Sequence, residues 1–67
     1  MIREHHLKET RQRLGITIAE LSERSGISTN HIGRIERFES DPTLTTMCKL
    51  AWGLRLDVWD VFGNRRE

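Results

Sequence analysis

The chain has 67 residues, 36% of them hydrophobic, with 11 Lys and Arg against 10 Asp and Glu and a formal net charge of +1. That length makes a single small domain, which buries only about 60% of its unfolded surface and gains from self-association. Its one cysteine, Cys48, excludes an intrachain disulfide and a cysteine-based zinc site.

No apolar run approaches the ~18 residues of a membrane span, and no signal-peptide core opens the chain, so a soluble, reducing, cytoplasmic setting is expected. The balanced charge excludes a basic tail that coats nucleic acid. Any DNA contact has to come from the placement of individual arginines. Nine of the eleven basic residues are Arg, which suits bidentate contact with phosphates or guanine edges better than Lys does.

The apolar periodicity predicts five helices and no lasting strand pattern. The first runs from about Ile2 to Leu14, with Leu7, Thr10 and Leu14 on one face and Arg11 at its edge, and stops at Gly15. Thr17 is placed to cap the second helix, with Glu20 completing a capping box. That helix carries Ile18, Leu21 and Ser22 and ends at Gly26; Ile27 leads into a third helix capped by Ser28 and reaching Arg37. After a polar loop over 38–41, Pro42 is expected near the start of a fourth helix. There Leu44, Met47, Cys48, Leu50, Ala51 and Leu54 form one broad apolar face, with Cys48 as a small core residue. Asp57 begins a short fifth helix with Asp60 at its third position and Val58, Val61 and Phe62 as apolar residues, and 63–67 are expected to fray.

The middle pair has the spacing of a helix-turn-helix. Ser22 is small where two helices cross, Gly26 supplies a turn, and Ile27, Ile32 and Ile35 lie behind. With Ile32 set at 0°, Ile35 falls at about 300°, whereas Gly33, Arg37, Asn30 and Arg34 fall at about 100° to 200°. An amide and two guanidiniums therefore share the outward face. Asn pairs with adenine N6/N7 and Arg with guanine O6/N7, each worth about 1–3 kcal/mol of discrimination, and Gly33 would admit a close sugar-phosphate strand. Glu36 falls at about 40°, on the core side, where a carboxylate needs a partner. Arg11, at the edge of the first helix's buried face, is the expected partner. The opposing reading leaves both side chains in water.

These residues identify a resemblance. The runs L-K-E-T-R-Q-R-L-G-I-T (7–17), L-S-E-R-S-G-I-S (21–28), I-G-R-I-E-R (32–37), D-P-T-L-T-T-M-C-K-L-A (41–51) and D-V-W-D-V-F (57–62) are similar to the lambda-repressor-like domains of the phage repressor, Cro and XRE-type family. The resemblance covers nearly the whole chain. It implies an all-α, compact five-helix bundle, major-groove binding of double-stranded DNA, and a dimer on a two-fold operator. By position, Thr29, Asn30 and Arg34 match base-contacting residues, Ser28, His31 and Arg37 match residues near phosphates, and Arg11 with Glu36 matches a bridging ion pair. Three positions depart from the pattern. Ile18 replaces a frequent Gln that touches phosphate, Phe38 replaces a frequent Gly after the Glu-Arg pair, and Thr10 takes a usually aliphatic place.

Other constellations carry less. His5, His6 and His31 lack metal-ligand spacing, and no nucleophile elbow or phosphate-binding glycine loop is present, so no metal, cofactor, small-molecule ligand or enzymatic activity is expected. Trp52 and Trp59 fall just outside the apolar arcs of the last two helices. With Val58 they form either a homodimer interface or a seal over the gap between those helices.

The expected function is a sequence-specific transcriptional regulator. It would be a homodimer on a palindrome-like operator, of the phage or mobile-element or restriction–modification controller type. Arg24, Arg37 and helix N-termini would grip phosphates, while Thr29, Asn30 and Arg34 read bases. The alternatives are an antitoxin-type regulator, or a protein-interaction module on the same fold without DNA.

Overall fold

Capping chemistry divides the chain into five helices. The computed structural model describes residues 5–63, and these form α1 (Leu7–Arg13), α2 (Ile18–Ser25), α3 (Thr29–Glu36), α4 (Leu44–Gly53) and α5 (Val58–Phe62), with no strand among the described residues. α1 starts later than expected: His5 is not helical and His6 is its N-cap, while residues 2–4 of the expected helix and 64–67 of the expected tail lie outside the described residues.

Thr17 and Glu20 close a reciprocal capping box on α2: Thr17 Oγ1 accepts from the Glu20 N–H (3.0 Å) and Glu20 Oε1 accepts from the Thr17 N–H (2.9 Å). Gly26 ends α2 in the left-handed region at φ 78°. Ser28 and Thr43 each accept from an N–H three residues on, at 3.1 Å. Pro42 therefore stands one residue before the Thr43 cap of α4, and its ring is buried.

Three helices end in the same way. At α1, Gly15 N–H bonds to Gln12 O and Ile16 N–H to Arg11 O, both 3.0 Å. At α3, Phe38 N–H bonds to Ile35 O (3.0 Å) and Glu39 N–H to Arg34 O (2.8 Å). At α4, Arg55 N–H bonds to Trp52 O and Leu56 N–H to Ala51 O, both 2.9 Å. This is the Schellman pattern, which requires one left-handed residue. Gly15 takes that place at φ 72°, but Phe38 (62°) and Arg55 (63°) take it with side chains. A left-handed residue with a Cβ costs about 1–2 kcal/mol, partly offset by glycine's extra entropy in the unfolded chain, about 0.5–1 kcal/mol. Arg55→Gly will therefore raise stability by about 0.5–1 kcal/mol in chemical denaturation; an unchanged or lower midpoint would contradict this.

The core joins Leu7, Ile16, Leu21, Ile27, Ile32, Ile35, Leu50, Ala51, Leu54, Val61 and Phe62, with Ile18, Met47, Leu56 and Val58 partly buried against it. α2 lies against both α3 and α4, and α5 against α4 and α1. At the α2–α4 crossing the close approach is set by Gly53. A Cβ there would lie 3.0 Å from Leu21 Cδ1 and 3.4 Å from the Cβ atoms of Arg24 and Ser25. Ser25 is buried, so Gly53 and Ser25 supply the small residues at this crossing; Ser22, expected at the crossing of α2 with α3, is half-buried.

The buried arc of α4 is narrower than the sequence reading. Cys48 is exposed and Leu44 is 61% exposed, which corrects the assignment of Cys48 to the core. Met47, Leu50, Ala51 and Leu54 lie within about 100° of one another, whereas Cys48 falls roughly 110° from their centre. α2 and α5 cover only that stripe. Leu14 likewise ends α1 as an exposed cap residue.

Phe38 replaces a glycine backbone and also places its ring. The ring stacks on the buried His5 imidazole at a centroid distance of 4.5 Å, and Phe62 meets His5 at 5.2 Å. His5 Nδ1 accepts a hydrogen bond from Leu7 N–H (3.2 Å), a bond that requires an unprotonated Nδ1. Burial lowers the His5 pKa below its ordinary 6.5; the neighbouring His6 acts in the same direction, while the Ile35 backbone, Glu9 and Glu36 oppose it. As pH falls, the unfolded chain thus takes up this proton first. Stability is full above about 6.5 and declines from there toward the lower folded-state pKa. Thermal melts of wild type and His5→Gln check this: the His5 component of the acid-side fall disappears in the variant.

Candidate nucleic-acid interface

α3 is fixed from behind by an ion pair. Arg11 Nε donates to Glu36 Oε2 at 2.7 Å and Nη2 to Oε1 at 3.2 Å, a two-pronged contact, while Nη1 donates to the Ile16 carbonyl at 2.9 Å. Arg11 is 8% and Glu36 9% exposed, so both charges are largely removed from water. Such a pair fixes geometry more than it adds stability, because desolvation offsets most of the attraction. Here it ties the end of α3 to α1, while Ile32 and Ile35, both fully buried, seat the same face on the core.

The opposite face is left free. Thr29, Asn30, Arg34 and Arg37 are exposed and His31 is half-buried. Ser28 is exposed, with its Oγ used to cap His31 N–H. Thr29 and Asn30 occupy the first turn of α3, and Asn30 and Arg34 are four residues apart, so their side chains stand one above the other.

Gly33 is covered from within the chain. A Cβ at this position would lie 3.1 Å from Arg37 Nη1, so the Arg37 side chain lies along the bare backbone of α3. Glu39 holds it there, with Arg37 Nε to Oε2 at 3.1 Å and Nη2 to Oε1 at 3.2 Å. The pair is solvent-exposed; it lowers the Glu39 carboxyl pKa and raises that of Arg37. Such exposed pairs yield readily to a competing anion.

The remaining candidates lie elsewhere. Arg24 turns toward α4, with Nη1 at 3.4 Å from the Gly53 carbonyl. Trp52 and Trp59 are 73% and 65% exposed, which removes the reading in which each seals a gap; Val58 is half-buried against the core. Ile18 is partly buried on the core, and its side chain has no polar atom to offer a phosphate. No group of three or more His, Cys, Asp or Glu able to hold a metal occurs among the described residues, nor is any helix there long and apolar enough to cross a membrane.

A buried, braced helix side opposite an exposed amide-and-arginine side is the arrangement of a recognition helix. The family model for helix-turn-helix domains matches residues 7–57, and the chain belongs to that family, in its XRE-type branch. It is 44% identical over 50 residues to the HTH-type transcriptional regulator SutR of Escherichia coli (strain K12), a match covering 75% of this chain and 28% of that protein. The chain thus corresponds to about a quarter of that relative's length. No solved structure matches it. The fold is that of a DNA-binding regulator family rather than an enzyme family.

Proposed function

We propose that the chain is a sequence-specific regulator that binds a two-fold operator as a homodimer, of the phage or mobile-element or restriction–modification controller type. One observation carries this: Asn30 and Arg34 stand exposed on α3, while Glu36, Ile32 and Ile35 lock its other side. Thr29, Asn30 and Arg34 read base edges in the major groove. Ser28, His31, Arg37 and the backbone at Gly33 set register on phosphates. Two copies place their recognition helices ~34 Å apart, one turn of DNA. Selection from genomic fragments at low salt tests the reading. Recovery of inverted half-sites at that spacing is expected, and no enriched sequence would sink it.

The exposed Trp52 and Trp59 favour a second reading, a protein-interaction module or antitoxin-type regulator. Both require another protein bound to this face; the interaction module does so without any selected DNA, the antitoxin-type regulator while also binding its own promoter. Trp52 and Trp59 belong to the dimer interface in the first reading, with Val58 behind them. Sedimentation of Trp52→Ala and Trp59→Ala will show reduced mass; unchanged mass would remove both residues from the interface.

A further inference from the structure

A groove of about 550 Å³ opens beside the α2–α4 crossing, lined by Arg24, Trp52, Gly53, Arg55 and Leu56. Its two arginines have no carboxylate partner among the described residues, where the ion pairs are Arg11–Glu36 and Arg37–Glu39. Arg24 is hydrogen-bonded to Gly53 O at 3.4 Å, and Arg55, whose side chain is exposed, stands on a left-handed backbone that a glycine would adopt more cheaply. A strained backbone kept at the mouth of a groove is a recurrent mark of function.

The chain itself carries the matching chemistry one residue further on. Asp57, Trp59 and Asp60 are all exposed, two carboxylates flanking an indole, beginning directly after the groove residue Leu56. A contact between two identical surfaces needs each surface to be complementary to itself about a two-fold axis. A cationic aromatic groove next to an anionic aromatic segment meets that condition, because a two-fold rotation lays each over the other twice. We infer that two copies of this chain pair reciprocally, the Asp57–Asp60 segment of each seated in the partner copy's groove of Arg24, Trp52 and Arg55. The inference rests on the homodimer reading above and specifies its chemistry. Trp59 fills the groove against Trp52, the arginines meet the carboxylates, and α3 takes no part, so its outward face stays available to DNA. Arg24 then serves the second copy rather than a phosphate.

The test uses two charge reversals, Arg55→Glu and Asp60→Arg, each checked for helicity by circular dichroism. Either variant alone puts like charges across both halves of the pairing and should weaken self-association by about tenfold or more in sedimentation. An equimolar mixture restores opposite charges in both halves, so a heterodimer of near wild-type affinity should form. The wild-type dimer should also weaken by about tenfold between roughly 50 and 500 mM salt. If each variant dimerises as tightly as wild type, the interface lies elsewhere and the homodimer reading stands without this pairing. If wild type never dimerises, the homodimer reading itself falls. Should Asp60→Arg fail to fold for want of its bond to the Asp57 N–H (3.1 Å), the wild-type salt response decides: a salt-independent dimer overturns the pairing.

Discussion

Glu36→Ala will cost about 3 kcal/mol of stability, the low end of the range for removing one partner of a buried pair. The variant leaves the Arg11 guanidinium, 8% exposed, with only its bond to the Ile16 carbonyl and no counter-charge. A domain this small has a core worth about 3–5 kcal/mol net, so the loss takes most of the margin and lowers the melting temperature by about 12–24 °C. Removing both charges together, as in Arg11→Met with Glu36→Leu, should cost much less, because no charge is then stranded. Urea unfolding of the three chains measures this directly. A Glu36→Ala midpoint equal to wild type would mean that the pair does not hold α3.

Arg34→Ala will have its largest effect on sequence preference. A guanidinium bidentate to a guanine edge contributes about 1–3 kcal/mol of discrimination, so each half-site should become tolerant at one base pair, with about tenfold or greater loss on the preferred operator. Stability should change little, since Arg34 is exposed and has no ion-pair partner among the described residues. Arg37→Ala should behave differently, lowering affinity evenly across sequences and reducing the salt slope by about one per protomer. Glu39→Gln is the counterpart: it frees Arg37 from the bidentate contact that holds it on α3 and should strengthen binding to any duplex.

The helices were readable because local chemistry dictates them. Thr17 with Glu20, Gly26 and Ser28 are punctuation that acts within a few residues, and their hydrogen bonds fall at those residues. The Arg11–Glu36 contact was readable for a different reason: a carboxylate on a core-facing position demands a cation, and one helix offers it. Three features depend on tertiary placement and were hidden. Cys48 and Leu44 are as apolar as their neighbours, and only the width of the stripe covered by α2 and α5 leaves them outside. Gly53 is an ordinary helix glycine in the sequence; its role comes from Leu21 and Ser25 arriving from another helix. His5 gives no local signal, since the rings of Phe38 and Phe62 that enclose it come from distant segments. Phe38 was visible as an exception to the family pattern. What it does, keeping the left-handed turn and stacking outward from it onto His5, needed the folded chain.

At the centre of the proposed function is the outward side of α3 as a reader of DNA sequence. Its most direct test is a binding titration of the wild-type chain against its selected operator and a scrambled duplex of equal length, at roughly 50 and 200 mM salt. The proposed function predicts that the operator is preferred by about a thousandfold, that both affinities fall steeply with salt, and that Asn30→Ala and Arg34→Ala each lower that preference by about tenfold or more while leaving the scrambled duplex bound as before. Equal affinity for operator and scrambled duplex, or no binding at the lower salt, would contradict it.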